Sequence, residues 1–178
     1  MKNYKKGFLC TMILSAMSLM AAEDSTIYVN TFVDENGDNL NNCSLREAIQ
    51  TAKDNKSHGG CNAGNTNNGQ KDIIQLEAGE YILTSELKPE SDIFIYGKSP
   101  ADYANKNVLT HSYPALKALK TSISANNASR IFNTSATKAN LNLANLILKN
   151  GYSEKFGGAL FIGGSLSMLN SAILNSES

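Results

Sequence analysis

Few residues in this chain have the type and spacing to do chemistry. Asp34-Glu35-Asn36-Gly37-Asp38 places side-chain oxygens at alternate positions, as the start of a calcium loop does. The rest of that loop is missing: Asn39 stands where glycine is wanted, and Leu45 where a bidentate glutamate is wanted. A polar turn is the simpler reading. Cys43 and Cys61 form an even pair in the region after an apolar N-terminus, which suggests a disulfide; two unpaired thiols are the alternative. Zinc would need further ligands, and only His58 lies nearby. His58 and His111 have no Ser and Asp in a recognisable context, so both read as loop residues and not as catalytic bases. Beyond Asp102 the only acids are Glu154 and Glu177, and Arg130 is the only arginine there. No catalytic, cofactor or metal site is expected.

The residues that do stand out are Cys43-Ser44-Leu45-Arg46-Glu47-Ala48-Ile49. Ser44 and Glu47 have the spacing of a capping box, in which the hydroxyl accepts the N–H of Glu47 and the carboxylate accepts the N–H of Ser44. Leu45, Ala48, Ile49 and Ala52 then give a short helix over Leu45 to Lys53 one apolar face. Arg46 falls on its polar face. Ahead of this, Lys2, Lys5 and Lys6 precede the apolar run Gly7 to Met20, and Ala21-Ala22 closes it. That is the pattern of an export signal over 1–22, too short for a bilayer span. Cys10 lies inside the run as a small apolar residue.

Residues 23–71 read as an N-terminal cap: a first strand over Ser25 to Val33, the turn at Gly37, the helix, and a long polar loop from Asp54 to Lys71. From 72 to 178 the pattern becomes short strands and turns, at Ile73–Leu76, Tyr81–Leu83, Asp92–Tyr96, Ser122–Ala125 and Ile131–Phe132, with an excursion over Ser99 to Pro114. Leu141, Leu143, Asn145, Leu148 and Asn150 are echoed by Leu166, Met168, Asn170, Ile173 and Asn175 at one constant offset. Self-similarity of this length marks a stacked repeat. Two strands per unit with a break between them fit a coil of parallel strands, three per turn, with apolar side chains inward. The asparagines Asn145 and Asn170, and Asn150 and Asn175, would stack as ladders at the corners. Gly157-Gly158 and Gly163-Gly164 would be corners where a side chain would collide with the next layer.

Cys43 to Ala48 matches without a gap the signature of exported bacterial proteins whose N-terminal module is named CSLREA. The chain resembles that group over most of its length after the signal. The resemblance implies an all-β solenoid, a right-handed parallel β-helix with a short N-terminal capping helix, with Asp72 to Leu83 as its first rung. Gly157-Gly158-Ala159-Leu160 is similar to the Gly-Gly-Ala motif of chlamydial polymorphic outer-membrane proteins. The family often carries a cysteine a few residues before the signature, where this chain has Asp38 to Asn42; Cys61 is the candidate replacement partner. The group is defined by architecture and surface location and implies no particular reaction.

With Lys+Arg 16 and Asp+Glu 16 the chain is formally neutral, and it has no basic stripe to hold phosphates, so nucleic acid is not an expected partner. The expected function is that of a non-catalytic exported surface protein, the N-terminal part of a β-helical adhesin or binding protein, extracellular or on the outer membrane. Host-cell surfaces or glycans are the expected partners. A polysaccharide lyase or glycoside hydrolase on the same scaffold is the alternative, and needs acids clustered on one face. A further alternative is a truncated fragment without a function of its own. The apolar segment Leu166 to Leu174 close to the end of the sequence gives the expectation of an open C-terminal rung and of self-association through it.

Overall fold

The computed structural model describes residues 26–37, 39–65, 71–99 and 119–178. The export signal read over 1–22, the bulk of the excursion after Ser99, and His111 lie outside the described residues. Among the described residues one helix, α1 (Leu45–Asp54), follows a short strand β1 (Thr26–Tyr28). Ten further strands follow: β2 (Asp72–Gln75), β3 (Gly79–Ile82), β4 (Ile93–Tyr96), β5 (Thr121–Ser124), β6 (Phe132–Asn133), β7 (Leu141–Ala144), β8 (Ile147–Lys149), β9 (Leu160–Phe161), β10 (Leu166–Leu169) and β11 (Ala172–Leu174). The first strand stops at Tyr28, well short of Val33. At Asn30 the backbone N–H turns to the carbonyl of Cys43, so the segment leaves the sheet to meet the cap.

Among the described residues all strand pairs are parallel. They form a five-stranded sheet in the order β1-β2-β4-β7-β10, a four-stranded sheet β11-β8-β5-β3, and a two-stranded sheet β6-β9. From β4 onward the chain visits the three sheets in a repeating order. Alternation within each strand then sorts side chains into rows. Ile27, Ile74, Ile95, Leu143 and Met168 are register partners along the five-stranded sheet. Tyr81, Ile123, Leu148 and Ile173 are partners along the four-stranded one. The third row runs Leu87, Phe132, Leu160. Most of these side chains meet in one apolar cluster, with Leu160 and Met168 packed against it. Each Ile or Leu enclosed there stabilises the fold by about 1.5–3 kcal/mol.

The offset seen in the sequence is the register of the sheets: Leu141 pairs with Leu166, Leu143 with Met168 and Leu148 with Ile173. Position along the sheets changes the burial of equivalent residues. Leu148 is fully enclosed, whereas Ile173 on the outermost strand is 44% exposed. Gly158 sits where a Cβ would strike the carbonyl oxygen of Glu177, and Gly163 where one would strike that of Thr134. Side-chain-free corners let the neighbouring backbones close up there.

Candidate functional site: the N-terminal clamp and its groove

The helix face predicted as apolar is enclosed: Leu45, Ala48, Ile49 and Ala52 all lie in the core. Both halves of the capping box form, with Glu47 N donating to Ser44 Oγ at 3.2 Å and Ser44 N donating to Glu47 Oε2 at 2.8 Å. The carboxylate does more than cap. Its other oxygen, Oε1, accepts Gly37 N at 2.6 Å, while Ser44 Oγ donates to the carbonyl of Glu35 at 2.7 Å. Glu47 is fully buried, and a buried carboxylate is tolerable only when hydrogen bonds replace its water. Gly59 (φ 57°) passes so close that a Cβ there would collide with this carboxylate. That loop is tied down by the Cys43–Cys61 disulfide, whose Cα atoms are 4.6 Å apart, and by Gly60 N donating to the carbonyl of Asn42.

Arg46 is placed differently from the polar-face expectation. Its Nε and one terminal nitrogen grip the two oxygens of Asp34, each at 2.8 Å, in a bidentate pair. That terminal nitrogen also donates to the carbonyl of Ser85 at 2.8 Å, and the other terminal nitrogen donates to that of Glu86 at 3.3 Å. Asp34 Oδ2 also accepts both the N–H and the hydroxyl of Thr84, at 2.7 and 2.6 Å. Burial pushes the Asp34 carboxyl up, but the hydrogen bonds from Arg46 and Thr84 outweigh it and hold the group below its usual range. Asp34 therefore joins the turn, the helix and the segment after β3.

Beside the clamp runs a groove in two parts. One, about 340 Å³, lies between α1 and the 85–90 segment and includes Arg46, Gln50 and Glu90. The other, about 570 Å³, continues past Lys88 to Arg130, Tyr152, Glu154 and Lys155. Glu86 borders both. It meets Lys88 Nζ at 3.1 Å, Arg130 at 3.5 Å and Asn133 Nδ2 at 3.3 Å. Burial works against its charge, but Lys88 and Asn133 win and keep the carboxyl below its ordinary range. A glycosidic general acid needs the opposite shift. The acid whose carboxyl is pushed up is Asp72, by burial, offset in part by the N–H of Asn65 at 2.7 Å. It is enclosed within the fold. Arg130 is held in place by the carbonyl of Phe156 at 2.9 Å and by the face of Phe161 at 5.3 Å. The groove can thus hydrogen-bond a polar ligand and stack it on Tyr152.

The asparagines lie at the corners, for a reason the sequence did not declare. Asn145, Asn150, Asn170 and Asn175 all have positive φ, between 47° and 58°. Asparagine tolerates that left-handed conformation better than other residues with a side chain, apart from its few close relatives. Asn170 donates its amide to Asn145 Oδ1 at 2.7 Å, so this pair forms a ladder. At the second corner the continuity is through the backbone: Asn150 N reaches the carbonyl of Leu174, and its side-chain amide goes to Ser124 Oγ at 3.2 Å. His58 lies in the loop as expected, with Nε2 2.9 Å from Asn36 Oδ1. The roles of Asp34 and of the Gly37 N–H were beyond sequence reasoning, since both depend on contacts that local periodicity does not encode.

No family model, no curated protein and no solved structure matches this chain.

Proposed function

We propose that the chain is an exported, non-catalytic surface protein, the N-terminal part of a right-handed parallel β-helix whose lateral faces serve adhesion or binding. Host-cell surfaces or glycans are the partner class. The observation that carries this reading is the in-register stacking of the repeat, Leu141 on Leu166 through Leu148 on Ile173. Such stacking spends the interior on packing and leaves long regular faces outside. The repeating visit to three sheets fits one coil with three strands per turn.

The CSLREA resemblance agrees with a structural role for each signature residue: Cys43 bridges, Ser44 and Glu47 cap, Leu45 and Ala48 pack, Arg46 clamps. Residues 1–22 act as the export signal, and a disulfide inside the clamp suits an oxidising compartment. On the outermost strands, β10 and β11, Leu166, Leu169, Ile173 and Leu174 are exposed beside unpaired backbone. Self-association through these exposed apolar side chains is part of the same proposal. The test is binding of the purified chain to host cells and a glycan array, with product analysis on pectic and neutral polysaccharides and light scattering in parallel. Binding without turnover supports the proposal. Release of reducing ends or unsaturated uronides overturns it, and a sharp monomer at micromolar concentration removes the self-association.

A further inference from the structure

The outward side of the five-stranded sheet is free of the clamp and the groove, and its chemistry is distinctive. Register places Tyr28, Gln75, Tyr96, Ala144 and Leu169 in one outward row. A second row runs from Thr26 through Ile73, Phe94 and Asn142 to Ser167. Neither row contains a charged residue, in a chain that is 18% charged. The four-stranded sheet differs, for it carries Glu80 and Lys149 outward as an ion pair at 3.0 Å. Among the described residues, charge reaches this face where Lys71 and Asp92 lie 3.7 Å apart and offset one another, with Lys71 Nζ 5.5 Å from the centre of the Phe94 ring. With that one offset pair apart, the rows offer no counter-ion to an acidic or basic partner, and a neutral one meets little charge to desolvate.

The two tyrosines define the spacing. Tyr28 is 55% exposed, and Tyr96 is braced by Phe94, ring to ring at 6.2 Å with planes 18° apart. Two strand intervals separate Tyr28 from Tyr96, about 9.5 Å at the usual parallel spacing. That distance suits alternate sugar residues, one disaccharide repeat apart, of an extended β-linked chain. Gln75 lies between them with its amide nitrogen fixed on the carbonyls of Leu76 and Tyr96, at 3.0 and 3.2 Å. Its amide oxygen is left as the acceptor. Small, buried Ala144 next to Tyr96 continues the row as a shallow trough. Amphipathic rings with one fixed polar group between them are the elements of a site for a ligand with apolar faces and many hydroxyls.

We propose that this sheet face binds a neutral, extended β-linked polysaccharide, stacking sugar rings on Tyr28 and Tyr96 and accepting a hydroxyl hydrogen bond at Gln75. The inference rests on the reading of the chain as a non-catalytic binding protein and names the ligand of one face. The experiment is affinity electrophoresis and calorimetry of the full chain with hydroxyethylcellulose, galactomannan and cellohexaose, against polygalacturonate as the acidic comparison. Retention by a neutral polymer is expected to persist at raised salt. Tyr28→Ala and Tyr96→Ala should each weaken it about tenfold, the equivalent of one lost ring contact. Tyr28→Phe and Tyr96→Phe should retain it, as should Glu80→Gln on the other sheet. Tyr28 is exposed enough that its alanine variant tests the site even where Tyr96→Ala disturbs folding. Binding indifferent to both tyrosines, or a preference for polygalacturonate, overturns the assignment. Failure on neutral polymers with cell or other glycan binding intact overturns it alone; failure on every cell and glycan surface overturns the binding function with it.

Discussion

Replacing Glu47 with alanine is the sharpest test of the clamp. Its carboxylate is fully enclosed and accepts two backbone N–H groups, Ser44 at 2.8 Å and Gly37 at 2.6 Å. Each buried donor left without an acceptor costs about 1–3 kcal/mol. The Ser44 donor is buried and belongs near the upper end; the Gly37 donor is partly accessible and belongs near the lower end. Loss of the packed side-chain stem adds about 1 kcal/mol. The sum is about 5 kcal/mol, a large share of a domain's stability of roughly 5–15 kcal/mol. Glu47→Gln keeps the shape, and its amide oxygen serves one N–H while its amide nitrogen faces the other. It should cost about 2 kcal/mol. Gln50→Ala, on the outer side of the same helix, should stay within about 0.5 kcal/mol. Urea unfolding of the oxidised protein, followed by far-ultraviolet circular dichroism, measures all three. If Glu47→Ala costs no more than Gln50→Ala, the carboxylate does not organise the cap and the argument fails.

Removing the disulfide with Cys43→Ser and Cys61→Ser together should lower stability by about 3 kcal/mol, through the greater freedom of the unfolded chain; the shift in urea midpoint reports it, and no shift would place the cap's stability elsewhere. Asp34 has a lowered folded-state pKa, so its contribution is present above the unfolded carboxyl range and fades as pH falls through the folded value. Asp34→Asn should therefore be less stable than the parent at neutral pH and converge with it in acid. The sign reverses for Asp72, whose folded-state pKa burial raises: its ionised form is disfavoured in the fold as pH rises. Asp72→Asn should gain stability at neutral pH and none in acid, as seen in unfolding curves at the two pH values. At the corner, Asn145 has φ 58°, so Asn145→Val should cost about 3 kcal/mol from left-handed strain and the lost Asn170 bond. Asn145→Gly, free of the strain, should cost about 1 kcal/mol in the same assay.

What could be read from the residues alone was whatever is local or periodic. The Ser44–Glu47 spacing and the apolar face of α1 depend on neighbours within two turns, and both hold in the structure. The echo of Leu141 by Leu166 is visible because stacking in register demands like residues at like positions. Arg46 shows the limit. Its partners Asp34, Ser85 and Glu86 are remote in sequence, and nothing in a helical pattern separates a solvated arginine from a clamped one. The asparagines were legible as a repeat, but their backbone geometry was not. A ladder and a left-handed corner call for the same residue type, and only Asn145–Asn170 joins side chain to side chain. The neutral face was invisible for a third reason: outwardness is fixed by register across strands as distant as β1 and β10.

The separation between vertically adjacent partners is uneven: 21 residues from Gln75 to Tyr96, 48 from Asp92 to Asn140, and 25 from Asn145 to Asn170. Pairing continues unbroken across all three intervals. The extra length is confined between β4 and β5, where the other layers use a few residues. Register therefore survives a change in the number of residues between layers, because pairing depends on like positions meeting and not on equal spacing along the chain.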